Sequence, residues 1–113
     1  MEEPRVPDPL QAIWKMRLGA AWEEIRRFCQ RWEVVELSLF GSILRPDFRP
    51  ESDIDVLITF RPDAQWSLME WVQMRDELQS LFGRRVDLVE KQAMRNPFRR
   101  KSILSTQQVI YAA

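Results

Sequence analysis

Residues 39–60 constrain the fold of this chain more than any other part of its sequence. Two β-prone apolar segments, Val34–Phe40 and Ile54–Phe60, are separated by a short polar linker. Gly41-Ser42 follows the first segment directly, and the acidic sequence Asp53-Ile54-Asp55 opens the second. We therefore predict two strands that belong to one sheet, with a cluster of polar groups where the first ends and the second begins.

The rest of the sequence predicts helices around these strands. Apolar residues spaced three and four apart predict an amphipathic helix over residues 10–32. A second helix is predicted to begin after Ser67, which forms a capping box with Glu70, and to end at Gly83. Residues 85–89 and 109–111 predict two further strands, with a last helix between them. The order predicts an α+β fold with a mixed β-sheet flanked by helices.

Composition limits the chemistry that is available to this chain. It has 113 residues, one cysteine and no histidine, which excludes histidine-based zinc sites, Ser-His-Asp triads and histidine bases. Acid–base or metal chemistry must therefore use carboxylates. Cys29 allows no internal disulfide, and we expect it to be a buried apolar residue.

Charge and hydropathy limit the partners. Lysine and arginine balance aspartate and glutamate, 17 against 17, so nucleic acid is not expected as a direct partner. No apolar run approaches the roughly 20 residues that span a bilayer. The acidic, proline-containing start is also unlike a signal peptide. We expect a cytoplasmic protein with no membrane partner, and the sequence leaves a homo-oligomer open.

The paired aspartates are the first candidate site residues. Asp53 and Asp55 share one face of a strand, about 7 Å apart at Cα, and their mutual repulsion calls for a neutralising cation. Mg²⁺ prefers oxygen ligands and combines one or two carboxylates with substrate phosphates. Ile54, between them, is expected to point into the core. An acidic pair can equally mark a solvated strand end.

Four further residues extend this candidate site. Gly41 would let the backbone approach a ligand closely, and Ser42 would offer a hydroxyl and backbone amides to phosphate. Arg45, three residues on, could reach the same phosphates, although it could also be an ordinary surface arginine. Asp87 lies in the third predicted strand and would stand beside Asp53 and Asp55 if that strand adjoins the second. It would then serve as metal ligand or as base.

Together these motifs resemble the nucleotidyltransferase superfamily that includes DNA polymerase beta, and most closely its minimal nucleotidyltransferases. The resemblance covers about residues 20–111. The chain departs from the family pattern at Pro46, where glycine is usual. Proline stiffens the turn that carries Arg45. The matching residues are Leu39-Phe40-Gly41-Ser42, Arg45, Ser52-Asp53-Ile54-Asp55-Val56, Gly83-Arg84-Arg85-Val86-Asp87-Leu88-Val89 and Arg95-Asn96-Pro97.

The resemblance implies a fold, a reaction and a partner. Residues 1–8 would form a loose arm and residues 9–113 a single nucleotidyltransferase domain similar to the polymerase beta palm. The domain would transfer AMP from ATP, with Mg²⁺ held by Asp53, Asp55 and Asp87. The acceptor would be a tyrosine of a small helical HEPN-type toxin, for which this chain would be the antitoxin.

Two other functions stay open at this point. The chain could neutralise a partner by binding alone, or it could modify a small molecule such as an antibiotic. The five tryptophans would suit an interface as well as a core. The segment from residue 84 to residue 101 contains seven basic residues and two acidic ones. Such an excess of basic residues is typical of a solvated face, or of a surface that binds phosphate or an acidic partner.

Overall fold

The computed structural model describes residues 22–44, 49 and 51–113, apart from the side chains of residues 42 and 43. The predicted arm, residues 1–8, and the first part of the predicted first helix, residues 10–21, lie outside these ranges. Two 3₁₀ turns, Gly41–Leu44 and Lys91–Ala93, follow the first and third strands. The remaining elements are α1 (Trp22–Arg31), β1 (Val34–Phe40), β2 (Ile54–Phe60), α2 (Leu68–Phe82), β3 (Val86–Glu90), α3 (Pro97–Thr106) and β4 (Gln108–Ala112).

The four strands form one mixed sheet in the order β3-β2-β1-β4. The central strand β1 runs antiparallel to both β2 and β4. Strands β2 and β3 are parallel, and α2 supplies the crossover connection that parallel neighbours require. The predicted α+β class with a mixed sheet is therefore confirmed.

Helices cover both faces of the sheet. On one face, α1 and α2 bury the larger core, in which Ile25, Phe28 and Met74 are almost fully inaccessible to solvent. On the other face, Ile103 of α3 packs in a smaller cluster with Phe40 and Leu57. Because side chains alternate across a strand, each strand contributes to both layers. The smaller cluster leaves part of its face of the sheet open, and the polar residues lie there.

Strand β1 has the predicted ends but not the predicted alternation. The sequence pattern placed Val35 on the same face as Leu37 and Leu39. A β-bulge between Val34 and Glu36 shifts the register there, so Val34 and not Val35 joins the larger core. An extra residue in one strand of an antiparallel pair shifts the alternation of side chains by one position, so residues before and after it point to opposite faces from those that a regular strand would give.

Helix α2 begins and ends as its sequence predicts. The Ser67 hydroxyl accepts from the N–H of Glu70 at 3.2 Å, and Glu70 Oε1 accepts from the N–H of Ser67 at 2.9 Å. At the other end, Gly83 adopts the left-handed conformation, with φ of 67°, and its N–H donates to the carbonyl of Gln79. Both predicted caps are confirmed, and they set where β3 can begin.

Cys29 is buried in the larger core, as expected. Burial raises the pKa of its thiol well above the ordinary value, which keeps the sulfur protonated and unreactive at neutral pH. None of the helices within the described ranges is both long enough and apolar enough to cross a membrane.

The capping box predicts a measurable loss of stability. Ser67→Ala removes the acceptor for the N–H of Glu70 and should lower the free energy of unfolding by about 1 kcal/mol. Ser80→Ala, at an exposed position inside the same helix, should leave stability unchanged or raise it slightly. Urea unfolding of both variants checks this. Equal midpoints for the two would show that the cap contributes nothing.

Candidate active site

The parallel pairing of β2 with β3 brings two of the predicted carboxylates side by side. Asp55 and Asp87 are register partners, and neighbouring strands lie about 4.8 Å apart. Both side chains project from the face opposite Ile54, which is fully buried in the larger core. The third strand therefore adjoins the second, which was the condition for Asp87 to belong to the site.

Asp53 lies just before β2 and faces an arginine that sequence reasoning did not assign to the site. Arg85 Nε is 3.4 Å from Asp53 Oδ1, and both side chains are exposed. Since Ile54 is the register partner of Val86, the preceding residues of the two strands are neighbours as well. Arg85 was visible in the sequence as one of many basic residues, but its contact with Asp53 follows from the strand pairing.

The three aspartates do not converge as a closed metal cage. Within residues 22–44, 49 and 51–113, no three Asp, Glu or Cys side chains come together around one point. Asp53 turns toward Arg85, which leaves Asp55 and Asp87 as the adjacent pair. Like charges directly opposite each other on neighbouring strands repel. This pair therefore suits a divalent cation with oxygen ligands, to which Asp53 could be recruited.

Gly41 lies against Asp55 of this pair, and no residue with a side chain could take its place. Its φ of 76° lies in the left-handed region, and a Cβ at this position would lie only 2.1 Å from Asp55 Oδ2. The carboxylate of Asp55 thus leans over bare backbone at the end of β1, where Phe40 is its register partner. The site needs glycine both for its dihedral and for the space.

Two other predicted phosphate contacts are only partly located. The backbone of Ser42 lies in the 3₁₀ turn Gly41–Leu44, directly after Gly41 and close to the carboxylate pair. The side chain of Ser42, the whole of Arg45 and the departure at Pro46 lie outside the described residues. Their roles stay predictions.

The basic residues of the segment 84–101 do not form one surface. Arg85 faces Asp53, and the guanidinium of Arg84 donates to the carbonyl of Arg49 at 2.9 Å. Lys91 pairs with the half-buried Glu36 of β1 at 3.2 Å. Arg95 and Arg99 instead line a groove beside β3. The segment thus divides into residues near the carboxylates, residues that support the fold and residues of a separate groove.

The family profile described as a nucleotidyltransferase domain matches residues 23–110, which is most of the chain. The chain belongs to this nucleotidyltransferase family. Among curated relatives, the protein adenylyltransferase MntA of Thermococcus cleftensis is 34% identical over 79 residues, which cover 70% of this chain and 75% of MntA. The sequence-based resemblance to the minimal nucleotidyltransferases is confirmed.

Solved structures of related proteins share the fold. A structure provisionally described as a minimal nucleotidyltransferase has a TM-score of 0.64 and 28% identity, covering 87% of this chain and 92% of its own. A toxin–antitoxin complex with AMP-PNP has a TM-score of 0.66 and 16% identity, covering 81% and 73%. A complex of a tri-AMPylated HEPN toxin from Shewanella oneidensis with its MNT antitoxin has a TM-score of 0.59 and 15% identity, covering 81% and 70%.

Gly41 and Gly83, the two glycines with positive φ among the described residues, form a matched pair that tests the packing of Asp55. Gly41→Ala and Gly83→Ala both place a Cβ in the left-handed region, and each should lower the free energy of unfolding by about 1–2 kcal/mol. Only the new Cβ at residue 41 meets a side chain; around Gly83 the space is open. Displacing Asp55 by about 1 Å should reduce nucleotidyl transfer roughly 100-fold.

Transfer of labelled nucleotide and urea unfolding, measured on both variants, check this prediction. Gly83→Ala should keep nearly full activity despite its similar loss of stability. Equal activities in the two variants would mean that the approach of Gly41 to Asp55 is irrelevant to the reaction.

Proposed function

We propose that this nucleotidyltransferase uses Mg²⁺ and ATP to transfer AMP to a hydroxyl of a partner protein, and that the acceptor is a tyrosine of a HEPN-type toxin. The observation that carries the proposal is the register pair of Asp55 and Asp87 beside bare backbone at Gly41. The similarity to MntA, a protein adenylyltransferase, supports the reaction. The likeness to complexes with AMP-PNP and with an AMPylated HEPN toxin supports the donor and the acceptor.

The donor set at the site suits magnesium. Asp53 and Asp55 would hold the ion, with Asp87 as a third ligand or as the base. Carboxylate oxygens are the ligands that Mg²⁺ prefers, and Asp55 and Asp87 stand side by side on neighbouring strands, where a cation could bind between them. Bound Mg²⁺ would supply positive charge to the triphosphate and to the leaving group.

The residues at the end of β1 would position the nucleotide. Gly41 has no side chain of its own, so the end of β1 lies against the Asp55 carboxylate, and its backbone would meet the phosphates of a nucleotide bound there. Ser42 follows directly and would add its backbone amide and its hydroxyl to the phosphate contacts. Arg45 would contribute a guanidinium to the same phosphates. Catalysis at such a site comes mainly from positioning and from charge neutralisation.

Asp87 is placed to receive the acceptor. It lies on β3, the edge strand of the sheet, and its side chain is exposed. In the transfer step, the acceptor oxygen bonds to the α-phosphorus of ATP. The bond from that phosphorus to the bridging oxygen breaks, and pyrophosphate leaves. Asp87 takes the proton of the hydroxyl in its role as base.

A purely binding antitoxin would not need this geometry. Binding alone places no requirement on the contact between Gly41 and Asp55, nor on two like charges kept in register. The first feature restricts residue 41 to glycine, and the second concentrates two carboxylates at one point of the sheet. Their presence in one place favours chemistry over simple neutralisation of the partner.

Removing two of the carboxylate charges tests the proposal. Asp53→Asn with Asp55→Asn should reduce AMP transfer from labelled ATP by more than about 100-fold, because neutral amides cannot offset the charge of a cation. The fold should persist, since neither side chain is part of the buried cores. The assay combines purified protein, labelled ATP, Mg²⁺ and the HEPN-type partner.

Asp76→Asn is the matched control, because Asp76 is an exposed carboxylate on α2 that pairs with Arg75. It should transfer AMP at the unaltered rate. Full activity in the double variant, with circular dichroism unchanged, would rule out the assigned site.

A further inference from the structure

A groove runs beside the free edge of β3 and is not part of the carboxylate site. Its volume is about 380 Å³, which is within the usual range of binding pockets. Leu88 and Val89 of β3 form its floor, and Trp71 of α2 forms one wall. Met94 and Arg99 line the side that belongs to α3 and the turn before it.

The groove lies next to the candidate active site. Val89 and Asp87 are two residues apart on one strand, so their side chains share a face, about 7 Å apart at Cα. Asp87 is the exposed carboxylate nearest the sheet edge, because β3 is the edge strand. A chain lying in the groove could therefore place a side chain next to Asp87.

The edge of β3 offers open backbone groups to such a chain. The N–H of Ile54 donates to the carbonyl of Arg85 at 2.9 Å. Along a parallel strand, alternate residues direct their N–H and C=O groups toward the same neighbouring strand. Arg85 bonds to β2, so Val86 and Leu88 direct their N–H and C=O groups away from it. The N–H of Val86 donates to Gln79 Oε1 at 3.1 Å, which agrees with this phase. The outward N–H and C=O of Leu88 have no hydrogen-bond partner among the described residues.

Charge favours an acidic occupant. Arg95 and Arg99 line the groove with exposed side chains. Glu90, which is half-buried, is the acidic residue among those that line it. The apolar floor and the balanced charge of the whole chain fit a protein segment better than nucleic acid, which would require a more extended basic surface.

Exposed apolar side chains stand at the starts of α2 and α3, the two helices that contribute residues to the groove. Leu68, one turn before Trp71 on the same side of α2, is 78% exposed. Phe98, next to Arg99 on α3, is 84% exposed. Large apolar side chains left in water beside a groove typify a surface that a partner covers.

We propose that this groove binds an extended, acidic and apolar segment of the acceptor protein, and that this segment carries the hydroxyl to Asp87. The segment adds to the edge of β3 through the open backbone groups of Leu88. Its acidic side chains meet Arg95 and Arg99, and its apolar side chains cover Phe98. This proposal rests on the proposed function, because Asp87 is assigned there as the residue that meets the acceptor.

Two labelled peptides and an RNA test the groove directly. One peptide places a tyrosine among alternating leucine and aspartate, and its counterpart has lysine at each aspartate. Fluorescence anisotropy should show the acidic peptide binding about tenfold more tightly than the lysine peptide. A labelled single-stranded oligouridine should bind more weakly than the acidic peptide.

Arg99→Glu should weaken binding of the acidic peptide about tenfold and improve binding of the lysine peptide. Residue 99 is the third position of α3, where glutamate suits a helix start, so α3 should stay folded. Arg27→Glu is the matched control: it reverses an exposed charge on α1, on the other face of the sheet. It should change neither affinity.

Equal affinities for the two peptides, an unchanged affinity in Arg99→Glu, or tighter binding of the RNA would overturn the proposal. Titrating the same proteins with ATP and Mg²⁺ separates this failure from failure of the proposed function. If peptide binding depends on Arg99 but the protein binds no nucleotide, the groove proposal stands and the proposed reaction is wrong. If AMP is transferred to the peptide at the same rate in Arg99→Glu, the proposed reaction stands and the groove proposal is wrong.

Discussion

The parallel register between β2 and β3 is the constraint on which the rest of the molecule depends. It places Ile54 beside Val86 and Asp55 beside Asp87. Slipping by one residue would turn the carboxylates into the core, at a cost of several kcal/mol for each buried charge. The repulsion between two carboxylates at this spacing, with Asp87 exposed and Asp55 half-buried, is smaller, about 1 kcal/mol where water screens them. Burial of the apolar side chains therefore fixes the two carboxylates side by side, at the place where the proposed function puts a cation.

Elements around this pair fix its position from several sides. Helix α2 connects the two parallel strands, and its caps at Ser67 and Gly83 determine its length and the start of β3. Gly41 brings the end of β1 against Asp55. Helix α3 covers only part of the same face, so the carboxylates stay accessible and a groove remains beside them. The nucleotide would approach from the β1 side and the acceptor from the free edge of β3, which separates the two substrates in space.

Much of this could be predicted because the deciding signals are local. The ends of β1 and β2, the capping box and the Gly83 cap depend on residues a few positions apart, and they were confirmed. The ends of β3 and β4 each differ by one residue from the predicted ones. The bulge in β1 was missed, since the extra residue between Val34 and Glu36 has no distinctive sequence. The contact between Arg85 and Asp53 and the groove beside β3 depend on packing between distant segments. Such contacts follow from the sequence only after the strand pairing is known, and the resemblance, although its matching residues include Arg85, gave that residue no role at the site.

The most direct test of the account is calorimetric titration of the protein with ATP, once with Mg²⁺ and once with a chelator. If the pair of Asp55 and Asp87 holds a metal-bound nucleotide, ATP should bind to one site per chain in the presence of Mg²⁺. The chelator and the single variant Asp55→Asn should each weaken binding at least about tenfold. The same affinity with and without Mg²⁺, or wild-type affinity in Asp55→Asn, would contradict the central claim that this register pair exists to bind a cation and its nucleotide.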